Sequence, residues 1–127
     1  NIVREGAGVT VLAYGTMVHV ALAAAEDGGI DAEVIDLRTL VPLDLETIVQ
    51  SVAKTGRCVI VHEAPLTGGF GGEIAARIAE QALFSLLAPI RRIAGFDCVM
   101  PLPSLEKHYM PSTERIVAAA RDVMSYK

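Results

Sequence analysis

His62 and Glu63, a base and an acid at the end of a β-branched run, are the side chains here best suited to proton transfer. They lead into Ala64-Pro65-Leu66-Thr67-Gly68-Gly69-Phe70-Gly71-Gly72-Glu73, a loop with one proline and four glycines. Glycine-rich loops that open a helix are also where phosphates bind, because free backbone amides and the helix dipole face the anion. Here that pattern fails. Gly69-Phe70-Gly71 starts like a dinucleotide fingerprint, but Ile74 stands where the third glycine belongs, and no Gly-Lys-Ser/Thr occurs anywhere. Glu63 and Glu73 flank the loop, so a phosphate would meet carboxylates rather than a lysine.

Catalysis by His62 and Glu63 lacks partners as well. The chain offers them no nucleophile, no metal set and no oxyanion site. The simpler expectation is that Glu63 pairs with a cation, with Arg38 the candidate, and orders the loop. His19, His62 and His108 fall on different elements, and no paired His or Cys has ligand spacing. No Gly-x-Ser-x-Gly occurs, which removes the commonest serine-hydrolase arrangement. Catalytic, cofactor-binding and metal residues are therefore none. His62, Glu63, Pro65, Gly68, Gly69 and Gly71 are expected to shape a structural loop.

The elements that hold this loop follow from period and punctuation. Strands are predicted at 9–14, 32–37, 57–62 and 90–94. The third has the continuous apolar middle of a strand buried on both faces. Helices are predicted at 17–27, capped by Thr16; at 45–55, capped by Asp44; at 73–87; and at 113–124, capped by Ser112. The first helix is apolar nearly all round, with His19 its one polar residue before Glu26. Such a helix is covered on both sides, one by the sheet and the other by a neighbour, which makes Met17, Val20 and Ala24 candidate interface residues. In the third helix Ile74, Ala75, Ile78, Ala79, Ala82, Leu83 and Leu86 share one side. Phe84 falls on the opposite, polar side with Glu73, Arg77, Glu80 and Gln81. Phe84 and Glu80 are then candidate partner contacts, unless the long segment after Phe96 folds back over Phe84.

Strands alternating with helices give an α/β domain: a three-layer α/β/α sandwich around a largely parallel sheet with right-handed crossovers. The 127 residues suffice for a single domain with a real core. An apolar share of 52% and a mean hydropathy of +0.44 are high for such a domain, yet no apolar run is long enough for a membrane span. The surplus is expected to be buried against partners rather than lipid. A net charge of −4 and no basic cluster argue against nucleic acid. Cys58 and Cys98, far apart in sequence, suggest a reduced compartment. The chain begins at Asn1 without an initiator methionine or signal-peptide core, as expected of a stretch cut from a longer polypeptide.

Five segments in order complete the reading: VTVLAYGTMV (9–18), EVIDLRTLVPLD (33–44), HEAPLTGGFGGEI (62–74), APIRRIAGFD (88–97) and LEKHYMPS (105–112). Together they resemble the C-terminal domain of the β subunit of thiamine-diphosphate-dependent 2-oxoacid dehydrogenases, most of all the branched-chain enzyme. Cys98-Val99-Met100 and His108 depart from the Thr-Pro-Phe and the aromatic expected there. The resemblance implies a transketolase C-terminal fold, a five-stranded mixed sheet with one antiparallel strand. The segment patterns supply four strands, leaving the fifth to the chain's start or to 96–111. It also implies that thiamine diphosphate and magnesium belong to the whole enzyme and are bound by other domains. The implied partners are an α subunit, a second β subunit and the basic subunit-binding domain of a dihydrolipoyl acyltransferase. The implied compartment is the bacterial cytoplasm or the mitochondrial matrix. Pyruvate and acetoin enzymes fit the same residues, and a free-standing ligand-binding module using the glycine loop is the alternative of another class.

Overall fold

The computed structural model describes residues 1–37, 44–65, 71–95 and 113–126. β-Branched and aliphatic runs form strands β1 (Ile2–Arg4), β2 (Val9–Ala13), β3 (Ala32–Asp36), β4 (Cys58–Pro65) and β5 (Arg91–Gly95). Between them lie helices α1 (Met17–Gly28), α2 (Leu45–Thr55) and α3 (Gly71–Ala82). A 3-10 turn at Leu83–Ser85 follows α3, and α4 (Thr113–Met124) comes last. The five strands hydrogen-bond in the order β1-β3-β2-β4-β5. β2, β3, β4 and β5 pair in parallel, and β1 runs antiparallel along the outer edge of β3, with Ile2 opposite Ile35. The fifth strand therefore comes from the chain's start.

Every residue of β2 is buried, because both faces of the sheet are covered. Val9, Val11 and Ala13 of β2, Ala32 and Val34 of β3, and Val59 and Val61 of β4 point to one side. There they meet Met17, Val18, Ala21, Ala24 and Ala25 of α1 and Ile116, Ala119, Ala120 and Val123 of α4. The alternate residues Leu12, Ile35, Cys58 and Ile60 point to the other side, against Ile48 and Val52 of α2 and Ile74, Ile78 and Ala82 of α3. This is the predicted three-layer α/β/α arrangement.

The neighbour that covers α1 is α4 of the same chain. Alanines on both helices permit a close approach, so close that a Cβ on Gly28 would stand 2.8 Å from Val117 Cγ2. Met17 and Ala24, expected at an interface, are 5% and 1% exposed and belong to the core. Val20 is half-buried against the same cluster, and the exposed side of α1 is His19, Ala23, Glu26 and Asp27. Part of the apolar surplus is thus consumed internally. Among the described residues no helix is long and apolar enough to cross a membrane.

Helix ends differ in how they are closed. Asp44 accepts from Thr47 N at 3.3 Å and from Thr47 Oγ1 at 2.7 Å, as an N-cap should. Those two hydrogen bonds hold its carboxyl below the usual range. Thr16, the predicted cap of α1, makes no side-chain cap bond, because its φ of −64° and ψ of −21° are already helical. Ser112 lies outside the described residues. The third helix, predicted to reach Leu87, ends at Ala82, whose φ of −128° leaves the helical range. Leu83 is consequently exposed rather than inward.

Candidate functional site

β4 does not stop at His62. Its backbone continues through Glu63 and Ala64 to Pro65, which lies opposite Gly95 of β5, and the register shifts between Val61 and Pro65. His62, Glu63 and Pro65 are therefore strand residues, in an irregular stretch at the carboxyl end of an interior strand. Irregularities of this kind are frequent beside functional loops. Gly71 opens α3, so the predicted βα junction is present. Gly68 and Gly69, the Arg38 proposed for Glu63, and His108 fall outside the described residues. Glu73 in the first turn of α3 pairs with Arg77 at 3.1 Å, both about half exposed. Arg92 of β5 approaches the same turn: a Cβ on Gly72 would lie 2.9 Å from its Nη1. Local sequence places only carboxylates at this turn, whereas the cation arrives from the neighbouring strand.

At the amino ends of the strands, a set of polar residues that no motif marked is buried between the sheet and α2. Thr10 Oγ1 lies 2.7 Å from Ser51 Oγ and 2.8 Å from Thr55 Oγ1, and Thr55 Oγ1 donates to Arg57 O at 2.9 Å. Beside them Glu33, 1% exposed, is ion-paired with Lys54 and accepts from Gly6 N at 3.4 Å. Burial pushes the Glu33 carboxyl up. Hydrogen bonds from Lys54, Ser51 and Gly6, with the charge of Lys54, outweigh burial and hold it below the usual range. These groups bond one another and fix α2 to β2 and β3, which leaves them structural rather than reactive. Burial pushes the Cys58 thiol up to about 12, so it is an inert core residue. Among the described residues no three of His, Cys, Asp and Glu come close enough to hold a metal.

The same end of the sheet carries exposed apolar surface. After α3 the chain turns tightly, with Leu86 N donating to Leu83 O at 3.3 Å and Leu87 N to Gly56 O at 2.7 Å. The turn leaves Leu83 58%, Phe84 101% and Leu87 54% exposed. Glu80, exposed one helical turn earlier, forms no ion pair among the described residues. On the other side of Gly56, Arg57 Nε donates to Val123 O at 3.0 Å and Nη2 to Tyr126 O at 3.0 Å, tying down the end of α4. Of the five predicted interface residues, Phe84 and Glu80 are accessible, Val20 is half-buried, and Met17 and Ala24 are not available. A fully exposed aromatic with two leucines in one short segment is the composition of a protein contact. The segment after Phe96, the alternative cover for Phe84, lies outside the described residues.

Comparison with known proteins places this geometry. Residues 1–116 match the model of the family "Transketolase, C-terminal domain". The chain is 56% identical over 123 residues to the 2-oxoisovalerate dehydrogenase subunit beta of Pseudomonas aeruginosa, covering 97% of this chain and 35% of that protein. It is 42% identical over 129 residues to the pyruvate dehydrogenase E1 component subunit beta of Staphylococcus epidermidis, covering 99% of this chain and 40% of that one. A solved split-gene transketolase, an inactive beta4 tetramer, superposes with a TM-score of 0.82 at 30% identity, over 100% of this chain and 42% of that chain. The chain thus spans somewhat over a third of the length of the relatives it matches.

Proposed function

The chain belongs to the family of transketolase C-terminal domains, and on that premise we propose that it is the C-terminal domain of a 2-oxoacid dehydrogenase β subunit, acting in assembly. In this reading the complete decarboxylating enzyme converts a 2-oxoacid to carbon dioxide and an acyl group that is reductively transferred to lipoyl. A branched-chain 2-oxoacid is the favoured substrate, supported by 56% identity to a 2-oxoisovalerate enzyme against 40–42% for pyruvate enzymes. Assays of the complete enzyme with 2-oxoisovalerate, pyruvate and acetoin test that assignment; preference for pyruvate or acetoin overturns it. The relatives include bacterial and mitochondrial proteins, which fits a bacterial cytoplasm or a mitochondrial matrix.

Thiamine diphosphate and magnesium would serve the complete enzyme. We assign their binding to its other domains, a reading supported by Glu73 in the first turn of the helix that follows the glycine loop and by the lack of a converging metal-ligand group among the described residues. No step is therefore derived through the cofactor in this domain.

The observation that carries the assembly reading is Phe84, fully exposed between two half-exposed leucines and near Glu80, which forms no ion pair among the described residues. Apolar anchors beside a carboxylate suit a partner that offers apolar side chains next to lysine or arginine, and the −4 net charge of the chain favours the same partner. The basic subunit-binding domain of a dihydrolipoyl acyltransferase has that chemistry. Contacts with an α subunit and a second β subunit complete the assembly, and the beta4 tetramer of the related transketolase supports contacts between copies. In the complete enzyme Phe84→Ala is expected to weaken acyltransferase binding by about 10- to 100-fold, with decarboxylation measured by an artificial acceptor retained. Unchanged binding by calorimetry overturns the docking role of Phe84.

A further inference from the structure

The apolar segment 83–87 is held in place from outside itself. Leu87 N donates to Gly56 O at 2.7 Å, and the Leu87 side chain lies directly over the Gly56 Cα. A Cβ on Gly56 would stand 2.8 Å from both Leu87 Cγ and Leu87 Cδ1, and 3.2 Å from Ser85 O. Gly56 also has φ +74°, in the left-handed region, where it closes α2 by donating to Val52 O at 2.7 Å. One glycine thus ends α2 and supplies the flat ground on which Leu87 rests, half of its side chain against the turn and half in solvent.

We infer that Gly56 is a positioning residue for the docking surface. Its bare Cα and its carbonyl oxygen fix Leu87 in the segment that presents Phe84, so that the surface is preformed before the partner arrives. The inference rests on the docking reading above and adds to it a residue that does not touch the partner. Preforming a contact lowers the ordering cost of association, so disturbing the ground beneath Leu87 weakens binding without removing an apolar atom. The occupant remains the basic, apolar-bearing partner, and Glu80, free of ion pairs among the described residues, is the group that favours it.

The test is a double-mutant cycle in the complete enzyme, read by calorimetry against the purified acyltransferase subunit-binding domain. Gly56→Asn is the substitution of choice, because asparagine tolerates a left-handed φ while its Cβ still displaces Leu87. Gly56→Asn and Leu87→Ala are each expected to weaken binding by about tenfold. In the double variant Gly56→Asn is expected to add little to Leu87→Ala, since the side chain it displaces is gone and the Ser85 carbonyl, 3.2 Å from the added Cβ, needs to yield only slightly. Should Gly56→Asn alone fail to assemble, the double variant, in which the obstructing leucine is absent, still decides. Binding equal to Leu87→Ala supports the inference, and weaker binding overturns it. Unchanged binding in Gly56→Asn, or additive losses in the double variant, also overturn it. Phe84→Ala separates the two readings. If it weakens binding while Gly56→Asn does not, the positioning role alone falls; if it has no effect, the docking surface itself falls.

Discussion

The α1/α4 layer meets the sheet largely through alanine and valine, whereas the α2/α3 layer uses isoleucines and admits polar groups. On the first side Ala21, Ala24, Ala25, Ala119 and Ala120 set the spacing, and the helices pack against one another as well as against the strands. On the second side Ile48, Ile74 and Ile78 fill a deeper layer that also holds Glu33, Thr10, Ser51 and Thr55. The contrast separates two ways of attaching a helix to a sheet. Small residues fix the α1/α4 layer by proximity and leave little volume to remove. Large residues and directed hydrogen bonds fix the α2/α3 layer, and its far end projects the exposed leucines and Phe84. The first layer closes the domain, while the second both closes it and turns outward.

The contrast breaks most visibly under core substitutions of opposite sense. Ile78→Ala, at a position with no exposure, is expected to cost about 3–4 kcal/mol through lost burial and a cavity. The reverse change matters on the other side. Ala24→Leu is expected to cost about 2–3 kcal/mol, because the closely packed helices must part to admit it. Urea denaturation of both variants gives the comparison. If Ala24→Leu were neutral, the α1/α4 contact would be looser than its alanines imply.

A smaller effect isolates the polar part of the α2/α3 layer. Lys54→Met leaves the Glu33 carboxylate buried without its cation, at a cost of about 1–2 kcal/mol, moderated because the ammonium is half exposed. The pH dependence has a definite sign. The folded carboxyl titrates below its ordinary value of 4.5, so it binds a proton less readily in the fold than in the unfolded chain. The stability it contributes is present above pH 4.5 and declines as pH falls below that value through the folded pKa. Glu33→Gln is expected to flatten the part of the denaturation profile that lies below pH 4.5. A profile with the same slope in both proteins would remove Glu33 from the network.

Much of this architecture was legible in the residues, for reasons of period. α2 occupies the predicted 45–55, and the four long strands lie close to their predicted places, because alternation and glycine stops act locally. β1 was harder, since a three-residue edge strand has no period and its partner β3 lies about thirty residues away. The end of α3 misled because Leu83 and Leu86 continue the helical spacing after the backbone has left the helix at Ala82. The need of α1 for a second neighbour was legible, but not that α4 supplies it, because an apolar face does not name its partner. The buried network had a faint signal in Thr10 and Glu33, each a polar residue flanked on both sides by apolar residues of its strand. What joins them to Ser51, Lys54 and Thr55 is tertiary. At the candidate site, Phe84 stood out as an aromatic on a polar helical face, whereas Gly56 and Arg92 act through neighbours distant in sequence.

The smallest expected effect on stability falls at the residue with the largest expected effect on association. Phe84 is fully exposed, so Phe84→Ser removes no buried area and is expected to change unfolding free energy by no more than about 0.5 kcal/mol. Ile78, six residues earlier on the inward side of α3, loses several times that on truncation. A hydrophobic residue whose removal leaves the fold intact contributes through a contact made elsewhere, and an exposed phenyl ring also favours non-specific association. Phe84→Ser is therefore expected to leave the urea midpoint of the complete enzyme unchanged, to lower light scattering at high concentration, and to weaken partner binding. A lowered midpoint would mean that the ring is covered within its own chain. In that case the outward end of the α2/α3 layer would be part of the core, and the difference between the two layers would reduce to side-chain size.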